Sequence, residues 1–244
     1  MKHDVVDFVS TECSVLSNSA HSSSPQSPVP SLPSSNVSLP RNIASHLRHA
    51  GKKTMELQHV NVKLFVEGKL PVDAARLIDV FHRWIRESVL DEFLIDVADY
   101  RHVPDGPGVM LIGHDVDYSL DHACGRWGLL YNRKAAMEGS NEDRLRQAVA
   151  SAANACRLLE EEFSGDGLKF SRNELQIIIN DRALAPNTPE TLTAAQPVLE
   201  SYLSTLFGSS DFTITPEGDP RRRFGVTVTT SSPFDLAAFL QAAG

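Results

Sequence analysis

Residues 58–67 read QHVNVKLFVE, in which Val60, Val62, Leu64 and Val66 alternate with His59, Asn61, Lys63 and Phe65. Side chains on a strand point alternately to opposite faces, so this period of two predicts a β-strand with one buried face. The period then changes. From Pro71 onward, Ala74, Leu77, Ile78, Phe81, Trp84, Ile85 and Val89 recur every three or four residues, the apolar stripe of an amphipathic helix opened by the proline. Phe93–Val97 reads as a short strand. Val109–Ile112 and Gly128–Tyr131 read as two more, forming a hairpin whose long loop holds His114 to Arg126.

A second helix begins at Ser140, with Asp143 three residues later in a capping-box arrangement, and its stripe runs through Leu145, Ala148, Val149, Ala152, Cys156, Leu159 and Phe163. It stops at Gly165-Asp166-Gly167. Leu175–Ile179 is a strand, and Thr188-Pro189-Glu190 starts a third helix that Pro197 is expected to kink or restart. Phe212–Thr215 and Phe224–Val228 make a second hairpin, and Ser232-Pro233-Phe234-Asp235 caps a short last helix.

Strand, helix, two strands and helix thus occur twice, near residues 56–163 and 168–242, and Arg126-Trp127-Gly128-Leu129-Leu130 matches Arg223-Phe224-Gly225-Val226-Thr227. The expectation is an α+β fold: a mixed, largely antiparallel sheet with helices packed on one face, built by internal duplication of a β-α-β-β-α unit. Residues 55–244 would form this single domain. Residues 1–54 are rich in Ser and carry Pro25, Pro28, Pro30, Pro33 and Pro40, a composition that buries too little apolar surface to offset ordering entropy, so they read as a disordered tail. Met55 stands as an alternative start.

With 41% hydrophobic and 22% charged residues, the chain can bury an ordinary globular core. Its net charge of −8 argues against nucleic acid or an anionic membrane as partner, since both require clustered Lys and Arg. Three cysteines, Cys13, Cys124 and Cys156, are too few for a disulfide framework and fit a reducing cytoplasm. No apolar run approaches the roughly 18 residues of a membrane-spanning helix.

Chemistry-bearing residues crowd into 96–134, DVADYRHVPDGPGVMLIGHDVDYSLDHACGRWGLLYNRK. Asp99, Tyr100, Arg101 and His102 precede a run stiffened by Pro104 and Pro107, and a carboxylate beside His102 would orient its imidazole as a general base. The segment GHDVDYSLDHACGR offers His114, Asp117 and His122 as metal ligands, with Cys124, Asp115 and Asp121 nearby; imidazole, carboxylate and thiolate all suit Zn²⁺ if they converge within about 2.0–2.3 Å. Tyr118 and Arg126 complete the binding residues expected on these loops. Trp84 and Trp127 read as core, and Arg221-Arg222-Arg223 as a turn whose position lets it face the acidic first loop.

Val109-Met110-Leu111-Ile112 followed by Asp115-Val116-Asp117 resembles the D-x-D strand end of haloacid-dehalogenase-like phosphatases and the paired aspartates of polysaccharide deacetylases. Each resemblance covers about ten residues. The first implies Asp115 as nucleophile and Asp117 as acid/base, although Gly113-His114 intervene after the strand; the second implies a downstream H-x-x-x-H metal pair that this chain lacks. Motifs for P-loop, Rossmann, zincin, α/β-hydrolase and zinc-ribbon chemistry are missing.

Three functions follow as expectations. The first is binding of a small molecule or anion at loops 96–105 and 113–126. A second is a hydrolase using His114, Asp115 and Asp117 with or without metal, and a third is a structural or protein-interaction module. Ligand identity, cofactor and oligomeric state do not follow from the residues.

Overall fold

The computed structural model describes residues 55–241; the Ser/Pro-rich stretch 1–54 lies outside the described residues, as do 242–244. In chain order the elements are β1 (Val60–Val66), α1 (Ala74–Glu87), β2 (Leu94–Tyr100), β3 (Gly108–Gly113), β4 (Val116–Asp121), β5 (Gly128–Arg133), α2 (Asn141–Glu162), β6 (Phe170–Ile179), α3 (Pro189–Phe207), β7 (Phe212–Pro216), β8 (Gly225–Thr230) and α4 (Leu236–Gln241). Single 3₁₀ turns lie at Ala123–Gly125 and Ser164–Asp166.

The strands form one eight-stranded sheet in the order β2-β3-β4-β5-β1-β6-β8-β7. Every neighbouring pair is antiparallel, so the mixed sheet expected from sequence becomes a uniform one. Topology explains the difference. Strands joined through a helix, β1 to β2, β5 to β6 and β6 to β7, are never neighbours in the sheet, so no crossover creates a parallel pair.

The second correction concerns His114–Arg126, read as a loop. Its middle is β4, in which Val116, Tyr118 and Leu120 alternate with Asp117, Ser119 and Asp121. The segment between α1 and α2 therefore holds four strands, against two between α3 and α4. Polar residues at alternate positions hid a strand whose six residues are all buried.

Capping sets the helix ends. Asp73, rather than Pro71, caps α1 by accepting from the Ala75 N–H at 3.0 Å, and Ser88 ends it in the left-handed region. Ser140 and Asp143 make the expected reciprocal capping box on α2. The helix α3 runs through Pro197 unbroken, its Ala195, Leu199, Tyr202 and Leu203 buried, so packing outweighs one missing backbone bond.

Helix α2 lies over β1 and β5, α1 over β2 and β3, and α3 and α4 pack against α2. This layer covers the sheet face that carries Val62, Leu64, Leu111, Tyr118, Leu129, Tyr131, Leu175 and Ile177, all fully buried in one continuous core. Tyr118 donates to Glu92 at 2.9 Å, and Ser151 of α2 donates to the same oxygen at 3.0 Å, so the ring reaches its polar partner at the helix layer. No helix among the described residues is long and apolar enough to cross a membrane.

Cys156 sits inside this layer with no exposed surface, and burial pushes its thiol up. A thiol reagent should leave Cys156 unmodified in the native protein and label it in guanidinium, as peptide mapping would show; native labelling would contradict the packing.

Candidate functional site

The residues singled out by sequence do not form one concavity. His114 and Asp115 are the two-residue turn between β3 and β4, with His114 Nδ1 2.7 Å from Asp115 Oδ1 and side chains 73% and 47% exposed. His102 follows β2 at the opposite end of β3, on the order of 20 Å away along six residues of strand. The geometry corrects the expectation that His102 and Asp99 join His114, Asp117 and His122.

Asp99 instead holds Arg101 at the surface through both carboxylate oxygens, at 2.6 and 2.8 Å. The hydrogen bonds from Arg101 bring the Asp99 carboxyl down to about 2. A carboxyl depressed in the folded state stabilises the fold above its unfolded pKa of about 3.9, and that contribution disappears as pH falls through about 2. Arg101→Gln should return Asp99 to the ordinary carboxylate range in an NMR titration; an unchanged value would mean that another group depresses it. Tyr100 lies 6.3 Å from the His102 ring, and Tyr118 points into the core rather than at a ligand surface.

Nor do the three proposed metal ligands meet. His122 lies beyond the far end of β4 from His114, its ring 4.6 Å from Trp127, and Asp117 is occupied by Lys134 at 2.8 Å. Trp127, expected in the core, is partly exposed. Among the described residues no group of three or more His, Cys, Asp or Glu side chains is arranged to hold a metal.

Polar chemistry gathers elsewhere, on the sheet face opposite the helices. Asn61, Lys63 and Phe65 of β1 share it with Asp117, Ser119 and Asp121 of β4 and with Asn132 of β5, because Asn61 pairs with Asn132 and Asn132 with Asp117. A strand with one buried face would expose these positions. Instead Asn61 is 0%, Lys63 3%, Ser119 2% and Asp121 1% exposed.

Lys63 makes a short ion pair with Asp121 and donates to the Arg126 carbonyl at 3.0 Å. The Arg126 guanidinium lies 3.8 Å above the Phe65 ring and grips Glu174 of β6 through two bonds, at 2.6 and 2.8 Å. Asp117 accepts from Lys134, from the Gly113 N–H at 3.3 Å and from Asn132 at 3.4 Å. Asn61 Oδ1 accepts from the Arg133 N–H at 3.2 Å, but the buried Asn61 Nδ2 has no hydrogen-bond partner among the described residues.

The β7–β8 connection reaches across this face. Arg222 Nη1 donates to Cys124 Sγ at 2.7 Å and lies 3.4 Å from Glu217, so the arginine turn meets the β4–β5 connection with β5, β1 and β6 lying between their strands in the sheet. Cys124 takes up a left-handed conformation, φ +57°. The Arg223 guanidinium is shifted downward, first by burial and then by Arg182, with Asp121 acting in the opposite sense.

Sequence reading thus nominated Asp117 and Arg126 of this face and missed Asn61, Lys63, Glu174 and Arg223 as site residues. The signal for Asn61 and Lys63 was their polarity in a strand, which reads as a solvent side until something covers it. Neither a scan against protein-family models nor a search of curated proteins found a match to this chain.

Proposed function

We propose that this protein binds a small polar molecule on the covered, helix-free face of its sheet. One observation carries the reading: Asn61 Nδ2 is fully buried with no acceptor among the described residues, beside a buried lysine–aspartate pair. A buried donor left unsatisfied costs about 1–3 kcal/mol, and a buried ion pair adds little stability over well-packed apolar side chains. A fold selected for stability alone would place leucine at 61. A ligand acceptor at Asn61 accounts for the amide.

The reading keeps the second of the two expected segments, 113–126, through Asp117, Asp121 and Arg126, and drops 96–105. Native mass spectrometry of the purified full chain would test it, alongside the Asn61→Leu variant. The wild type should retain small-molecule mass that the variant loses, while the variant melts at the same or a higher temperature. Equal retention by both proteins would sink the proposal. Hydrolysis remains a second reading, favoured by the 2.7 Å His114–Asp115 pair that would orient the imidazole; His114→Ala leaving an esterase or phosphatase screen unchanged would remove it.

We propose as well that the sheet arose by duplication of a β-α-β-β-α unit, with β2–β3 as an added hairpin. Its support is the register. Gly128 faces Phe65 on β1, as Gly225 faces Ile178 on β6, and each glycine follows an arginine and an aromatic residue. A Cβ at Gly128 would lie 2.7 Å from the Leu64 carbonyl, and one at Gly225 3.2 Å from the Ile177 carbonyl, so close strand approach explains glycine in both. Aligning these pairs sets Lys63 on Gln176, which face each other in the β1–β6 ladder, as a pseudo-two-fold axis between them requires.

A further inference from the structure

We infer that β7 is the pairing edge for a second copy of this chain, the two sheets joining antiparallel about a two-fold axis at Thr213. This inference is independent of the ligand-binding reading.

The sheet ends in β2 and β7, each with one side unpartnered among the described residues. Such a side presents backbone N–H and C=O groups that can template another strand, and proteins block it with charge or irregularity. β2 is blocked in both ways. It holds Asp96 and Asp99, its register shifts between Leu94 and Asp96, and the Asp96 carboxylate accepts from the Val97 N–H at 2.8 Å.

β7 carries neither block. Phe212-Thr213-Ile214-Thr215-Pro216 has no charged residue and pairs with β8 in one unbroken register. In that register the Glu217 N–H donates to the Gly225 carbonyl at 2.9 Å. Every second residue of an antiparallel strand bonds to its neighbour, so Thr215 and Thr213 bond to β8, whereas the N–H and C=O of Phe212 and Ile214 point away from it. Pro216, which has no N–H, also falls on the outward side, where proline is tolerated.

A second copy supplies the missing partners. With Thr213 opposite its own counterpart, Phe212 and Ile214 of each strand exchange backbone bonds with Ile214 and Phe212 of the other, and no N–H of β7 is left unbonded. Phenylalanine then faces isoleucine on one side of the joint and threonine faces threonine on the other, both favourable cross-strand pairs. Charge selects this register. It sets Asp211 opposite Thr215 and Glu217 opposite Ser209, whereas a pairing centred on Ile214 would oppose Asp211 to Glu217 in a chain of net charge −8. A joint one short strand wide falls below the roughly 1,000 Å² of a permanent interface, so the association is reversible.

Sedimentation equilibrium of the full chain, combined with hydrogen exchange at low and high protein concentration, tests this. The apparent mass should rise with concentration from one chain toward two, and the amides of Phe212 and Ile214 should gain protection as it does. Thr213→Lys changes an exposed position and sets two ammonium groups against each other at the axis, so it should weaken dimerisation about tenfold. Ile214→Pro removes an outward donor without breaking the β8 ladder and should abolish dimerisation; if circular dichroism shows that variant unfolded, the lysine variant decides alone. A chain that stays monomeric up to about 1 mM overturns the inference. A dimer that Thr213→Lys leaves unchanged, or whose formation leaves the Phe212 and Ile214 amides unprotected, overturns it as well.

Discussion

Replacing Lys63 with methionine should lower the free energy of unfolding by about 3–5 kcal/mol, the effect of leaving one member of a buried pair uncompensated. The side chains of Lys63 and Asp121 are 4% and 2% exposed, so water cannot take over the role of the ammonium group. Asp121 would keep one bond, from the Ala123 N–H at 3.0 Å, and the Arg126 carbonyl would lose its lysine donor. Guanidinium denaturation of wild type and variant would measure the loss. The double variant Lys63→Met/Asp121→Leu should recover most of it, because removing both charges removes the desolvation cost along with the attraction. A single-variant loss below about 1 kcal/mol would mean that the face opens to water and screens Asp121 as a surface charge.

Gly108→Ala should be comparably damaging, for a steric reason. Gly108 opens β3 with φ +66°, and a Cβ there would lie 2.2 Å from the Leu120 carbonyl oxygen on β4. Backbone, not a flexible side-chain tip, must move, and the β3–β4 ladder begins at the next residue with Val109 opposite Leu120. A loss of about 4–5 kcal/mol or failure to fold is expected, the range reserved for severe backbone or core disruption. Gly68→Ala is the matched control: φ is +69°, but nothing lies within 4 Å of the added carbon. That variant should lose about 1–2 kcal/mol, the intrinsic penalty of the left-handed conformation. Equal losses in the two proteins would show that conformation rather than contact governs position 108.

Both predictions turn on β4, the strand that sequence reading took for a loop. Its apolar residues Val116, Tyr118 and Leu120 keep the period of two, but Asp115, Asp117 and Asp121 and the flanking histidines resemble a solvated connection. Asp117 and Asp121 are tolerated because Lys134 and Lys63 reach them, from 17 and 58 residues away in the chain. Pairing at that separation has no local signature. The Asp99–Arg101 pair joins residues two apart in the chain, whereas the Arg126–Glu174 fork spans 48 residues and leaves no local trace.

By itself the sequence determined the helices, the capping box of α2 and the Thr188 start of α3, the α+β class, the burial of Cys156 and most strand positions. Those follow from interactions within a few residues, where periodicity and capping chemistry act directly on the chain. Tertiary structure alone decided that every strand pair is antiparallel, that Val116–Asp121 is a strand, and that His102 and His114 stand at opposite ends of β3. It also decided that the polar side of β1 is buried. An alternating strand states which residues share a face; what covers that face depends on Arg222 meeting Cys124 across the sheet, a contact set by the fold of the whole domain.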